Sequence, residues 1–212
     1  MSIEFTYFDQ QGFLSNQEKK SIEAATNVAV NKIARYHKLQ SIDVVLLEST
    51  WYMQKNSSFF GVCLNPHTVI VHLSPKNETF SADVEQYFSS FMVHELHHCL
   101  RYPYDRSTIG DAIVLEGMAM SAEEFLGYNR KDLGERPDQA AFNALVRRAM
   151  TEIDEIGNGS WIYSCHDGEG SWPYIYQLGQ HIVGKAFENR GWNAFDQVDL
   201  SAKEIFEAAR LP

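Results

Sequence analysis

Residues 81–100, SADVEQYFSSFMVHELHHCL, decide how this chain is read. Apolar side chains at Val84, Tyr87, Phe88, Phe91 and Met92 recur in steps of three and four, the period of a helix that buries one face. Ser81, following Pro75-Lys76-Asn77, stands where a cap is needed, and the helix is expected to run to about Leu100. Inside it lies His94-Glu95-Leu96-His97-His98, an HExxH pattern. Four residues along a helix turn through about 400°, so the imidazoles of His94 and His98 project from one face and can share one cation. Glu95 adjoins the first of them, turned too far to bind the metal yet close enough to take a proton from a metal-bound water. The apolar neighbours Phe91, Val93 and Cys99 imply burial, where a pair of histidines is costly unless bound or hydrogen-bonded. His97, three residues from His94, competes as a ligand on spacing alone. A His94 and His97 pair would take Glu95 out of position, so His97 is expected to be a supporting or exposed residue.

A catalytic zinc site takes three protein ligands and keeps one position open. Working outward, the segment Asp111-Ala112-Ile113-Val114-Leu115-Glu116-Gly117 places Glu116 eighteen residues beyond His98, amid apolar neighbours where a lone carboxylate would be expensive. Glu116 is therefore read as the third ligand. Gly117 lowers helix propensity by roughly 1 kcal/mol against Ala, which makes sense where another helix or the metal approaches closely. Glu123 and Glu124 read as the solvent-facing carboxylates of the same helix.

The rest of the chain supplies the frame. Ser15 and Glu18 form a capping-box spacing ahead of a helix to about His37. Ile42–Leu47 and Thr68–Leu73 are short β-branched runs, with Phe59–Cys63 as a weaker strand. After the metal helix no strong strand signal appears. Helices are expected at about Ile109–Leu126, Asp138–Ile153, Tyr174–Asn189 with Gly191 as a stop, and Ser201–Arg210. Residues Gly157–Pro173, rich in Gly, Ser and aromatics, read as a long loop. The expectation is one α+β domain over residues 1–212, with a small N-terminal sheet in about 1–80 and a mostly helical part in about 81–212 that carries the metal site.

Composition narrows the function. The 28 acidic residues against 18 Lys and Arg give a formal charge of -10, which opposes a polyanionic partner and argues against nucleic-acid binding. No apolar run approaches the roughly 20 residues of a membrane span. The N-terminal Met1-Ser2-Ile3-Glu4-Phe5 lacks the pattern of an export signal, so a cytoplasmic location is expected. Cys63, Cys99 and Cys165 are too scattered for a disulfide framework or a CxxC metal pair, and read as buried or idle thiols.

Glutamate as third ligand on a following helix resembles the gluzincin group of zinc peptidases. The two motif segments, with Tyr174-Ile175-Tyr176-Gln177-Leu178-Gly179-Gln180-His181, are similar to a bacterial domain-of-unknown-function family described as predicted Zn-dependent proteases. That resemblance spans most of the chain and implies a zincin-like fold, a Zn2+ cofactor and a peptide or protein substrate. Many gluzincins carry an acidic residue four positions after the third ligand to orient a ligand histidine, but Met120 stands there. Glu123, seven residues after Glu116 on the same helical face, is the alternative to a surface role for that carboxylate. The developing oxyanion needs a donor, for which Tyr176 comes first, His181 second and Tyr174 third, although Ile175, Leu178 and Ile182 mark the core face of their helix. His166 and Asp167 read as solvated loop residues.

The leading reading is a zinc-dependent peptidase with metal ligands His94, His98 and Glu116 and Glu95 as general base. An extended substrate is expected to add to a sheet edge, with Thr68–Leu73 the favoured strand. Two alternatives remain open: a non-catalytic zinc-stabilised interaction protein, in which Glu95 has no chemical role, and a small-molecule amidohydrolase sharing the same chemistry. Structural zinc sites favour Cys-rich tetrahedra and need no carboxylate beside the first histidine, which weighs toward catalysis.

Overall fold

In the computed structural model, which describes residues 2–9, 12–49, 58–103, 107–128, 138–156, 160–163 and 173–211, the β-branched runs pair as one mixed sheet. Its strands are β1 (Ile3–Phe8), β2 (Ile42–Glu48), β3 (Phe59–Asn65) and β4 (Thr68–Leu73), in the order β1-β2-β4-β3. β2 lies parallel to β1 and to β4, while β3 returns antiparallel to β4. Helix α1 (Asn16–Ile33) makes the connection that a parallel β1–β2 pair requires. It opens with the expected capping box, Ser15 Oγ accepting from the Glu18 amide and Glu18 accepting from the Ser15 amide.

Two differences from the sequence reading concern the sheet. β1 was not anticipated, although Ile3, Phe5 and Tyr7 alternate with Glu4, Thr6 and Phe8 as a strand should. β4, favoured above as the peptide-binding edge, is an interior strand, bonded to β2 on one side and β3 on the other. The edges are β1 and β3.

The helix that carries the HExxH pattern is α2 (Phe80–Leu100). Thr79, not Ser81, occupies its N-cap position, and the Ser81 hydroxyl instead donates to Glu18 of α1. Burial is continuous from Ser90 to Cys99, so the one-faced amphipathic helix expected from the spacing is enclosed on every side at its C-terminal end. β3 runs along this helix with matched steps. Ser58, just before the strand, donates to Asp83 at the helix start. The ring of Phe59 contacts those of Phe88 and Phe91 at 5.2 and 4.8 Å, Gly61 lies against Glu95, and Cys63 donates to Cys99 at 3.2 Å. Two residues of strand advance roughly 6.6 Å and four of helix roughly 6 Å, so every second residue of β3 meets the next turn of α2.

Chain contacts divide the protein into two compact units, Met1–Pro103 and Tyr104–Pro212. α2 thus belongs with the sheet. The second unit holds α3 (Ile109–Phe125), α4 (Gln139–Thr151), α5 (Tyr174–Arg190) and α6 (Ala202–Ala209), with a short 3-10 turn at Ser160–Tyr163. Ile113, Val114, Leu178, Ile182, Val183 and Ile205 lie at the centre of its core. Asp138 and Ser201 cap α4 and α6, and Gly191, at φ 65°, ends α5 in the left-handed conformation that glycine tolerates best. Of the expected 157–173 loop, the 3-10 turn and Pro173, which precedes α5, are seen, and the remainder, with Cys165, His166 and Asp167, lies outside the described residues.

The close approach expected at Gly117 is made by a helix. A methyl carbon added to Gly117 would stand 2.5 Å from the carbonyl carbon and 2.7 Å from the Cα of Gly179, and one added to Gly179 would stand 2.6 Å from the Ile113 carbonyl oxygen. α3 and α5 therefore cross backbone against backbone, where neither side can yield by a rotamer change. Gly117→Ala and Gly179→Ala should each destabilise the protein by about 1–3 kcal/mol, despite the better helix propensity of alanine, as a lowered denaturant midpoint would report.

Candidate metal centre

The C-terminal turns of α2 carry more ionisable side chains than a buried helix normally tolerates. His94, Glu95, His97 and His98 are all at most 6% exposed. Their local cause is the apolar lining of the same turns, Phe91, Met92, Val93 and Leu96, which takes the backbone into the interior whether or not the polar residues go easily. The HExxH spacing turns two of them into a pair: the rings of His94 and His98 stand 4.7 Å apart at an interplanar angle of 87°.

Glu116, on α3, is buried at 6% exposure. His94, His98 and Glu116 each offer one ligand atom, and these atoms all lie within 4.8 Å of one another. Two imidazoles and a carboxylate form a borderline-hard donor set suited to zinc, whose bonds of roughly 2.0–2.2 Å draw such atoms together after small side-chain rotations. Burying three ionisable groups carries a desolvation cost, and a shared cation would offset it. The residues fit the ion. Among the described residues this is the one such group of three, and His97 is not part of it. Nor is His97 exposed: it is fully buried, because the apolar lining encloses that side of α2 as well.

Glu95 points its carboxylate at β3. A methyl carbon on Gly61 would stand 2.5 Å from Cγ and 2.6 Å from Oε1 of Glu95. One turn further on, the hydrogen bond to Cys63 and burial together push the Cys99 thiol far above its ordinary range. Both cysteines stand as buried reduced thiols.

Glu123 corrects the reading of α3. It is only 2% exposed, whereas Glu124 beside it is exposed, so the pair is not solvent-facing as a unit. Seven residues is two helical turns less about 20°, which returns Glu123 to the buried stripe of Glu116. The spacing offers that face in sequence as the alternative to a surface role, and the burial of Glu123 decides for it.

The oxyanion candidates separate by face. Gly179 marks the side of α5 that meets α3; Tyr176 lies about 60° round from it and His181 about 160°. Tyr176 is half-buried and packed beside the core of the second unit. The His181 ring instead meets Phe142 of α4 edge-on at 5.3 Å. Tyr174, in the first turn, is likewise half-buried. Gly61, which the sequence reading passed over, carried a usable signal: an isolated glycine in a strand marks a close approach.

A sequence model of a family described as predicted Zn-dependent protease (DUF2268) matches residues 20–207 of the chain. No curated protein and no solved structure matches it significantly. No helix among the described residues is long and apolar enough to cross a membrane.

Replacing Glu116 by Ala should lower zinc affinity by more than the roughly 10- to 100-fold typical of losing an outer supporting residue. Metal analysis of the purified variant beside the parent checks this; full zinc occupancy against a competing chelator would remove Glu116 from the ligand set.

Proposed function

The chain belongs to the family of predicted Zn-dependent proteases, and from that premise we propose that it is a zinc peptidase of the gluzincin type with a zincin-like fold. The observation that carries the proposal is the buried gathering of His94, His98 and Glu116, with Glu95 adjoining the first ligand on the same helix. Two histidines and a glutamate leave the open position that a hydrolytic site requires and a structural site does without. When bound, zinc supplies a Lewis acid that lowers the pKa of water and polarises the scissile carbonyl.

The chain's own residues do the remainder. Glu95 accepts the proton of the attacking water and returns it to the leaving amine, the role of a carboxylate that is near the metal but does not bind it. Tyr176 donates its hydroxyl to the developing oxyanion, favoured over His181 by the side of α5 that each occupies. Glu123, buried on the stripe of Glu116, takes the orienting role that Met120 cannot fill. An extended peptide adds to β3, the sheet edge that runs along α2.

Glu95→Gln tests the reading. It keeps the shape and the metal and removes the proton acceptor, so zinc stoichiometry should stay at the parent value while cleavage of a fluorogenic peptide library falls by at least about 100-fold. Undiminished hydrolysis by the metal-replete variant would defeat the mechanism. A protein whose zinc matters only to its fold would instead show no parental hydrolysis and equal thermal stability in both forms.

The oxyanion assignment is tested separately. Tyr176→Phe should leave zinc content and melting unchanged and raise the barrier by about 2.7–4 kcal/mol. His181→Ala should affect packing on Phe142 more than turnover. The reverse pattern in kcat would exchange the two roles.

A further inference from the structure

Glycine in the middle of a strand needs a reason, because it weakens the strand and leaves nothing to pack. At Gly61 the backbone does not provide one. The positive-φ glycines are Gly12, Gly127 and Gly191, and Gly61 is not among them, so its conformation is open to any L-residue. What a side chain would meet there is specific: the three atoms nearest to an added Cβ are Cδ, Cγ and Oε1 of Glu95. The carboxylate end of Glu95 occupies the space that every other amino acid would fill.

We infer that Gly61 is the positioning residue for Glu95, a recess in β3 that receives the carboxylate and sets where it stands relative to His94. The inference rests on the peptidase reading for its functional meaning, but the contact itself does not. Three features of the first unit support it. Phe59 against Phe88 and Phe91 on one side and Cys63 against Cys99 on the other hold β3 to α2, so the recess cannot simply widen. Glu95 is 6% exposed, which leaves its carboxylate little room elsewhere. The obstacle to a Cβ is also the far end of a flexible side chain and not backbone, so Ala at 61 displaces the base while the fold survives.

Two double-mutant cycles test it on the full-length, zinc-loaded chain. With a fluorogenic peptide chosen from the parent's library digest, Gly61→Ala should lower kcat roughly 10- to 100-fold, the effect of misplacing a reacting group by about 1 Å, with KM and zinc stoichiometry little changed. In the Glu95→Gln background, where no base remains to be misplaced, the same substitution should change the residual kcat by less than about threefold. Equal factors in both backgrounds, or a change confined to KM, overturns the inference. The second cycle needs no hydrolysis. Gly61→Ala should lower the melting temperature while Glu95 is present, and leave it unchanged or raise it once Glu95→Ala has emptied the space, since alanine then only narrows the unfolded ensemble. A shift of the same sign and size in both backgrounds overturns the contact. Parental protein inactive on every peptide would defeat the peptidase reading, while the melting cycle still decides on Gly61.

Discussion

The burial of ionisable side chains, costly wherever it occurs, is the constraint on which this structure turns. The last turns of α2 take His94, Glu95, His97 and His98 out of water together, and Glu116 of α3 is buried too. A cation held by His94, His98 and Glu116, which the group is able to bind, would offset much of that cost and would couple metal affinity to the stability of the elements that carry those residues. Each unit then has a device that fixes its share. β3 holds α2 along its length through the rungs at Phe59, Gly61 and Cys63, and α5 holds α3 at the crossing of Gly179 on Gly117.

The two glycine contacts differ in kind. At Gly117 and Gly179 backbone meets backbone, so any side chain must separate two helices. At Gly61 backbone meets the end of a glutamate, which can swing. The first contact governs whether the second unit packs; the second governs where one carboxylate stands. Sequence alone does not distinguish them, since both are single glycines inside regular elements.

What was legible in the sequence is what depends on neighbours along the chain. The i, i+4 pairing of His94 with His98, the capping boxes at Ser15 and Ser201, and the stop at Gly191 are local, and each appears in the fold. The strands Ile42–Glu48 and Thr68–Leu73 were visible by composition, but not their order, because position in a sheet is settled by partners far away; hence β4 proved interior and β3 one of the two edges. Glu116 lay at the limit of legibility, found by the cost of a carboxylate among apolar residues. Glu123 stayed open between two readings, since its seven-residue spacing put it on the face of Glu116 while the acidic residue that follows it made a surface pair equally natural; its burial excludes the second. Of the two places open to His97, supporting or exposed, burial excludes the second: periodicity predicts one buried face and cannot announce a helix enclosed on all of them.

The thiol pair offers a built-in gauge of motion. Cys63 and Cys99 are each no more than 4% exposed and face one another across β3 and α2, so an alkylating reagent reaches either one only when strand and helix part. The labelling rate of these two sulfurs therefore follows the population of an opened state, and its dependence on added metal reports how much zinc binding suppresses that opening. Because the same strand lines Glu95, the breathing of this seam is also the breathing of that carboxylate's seat.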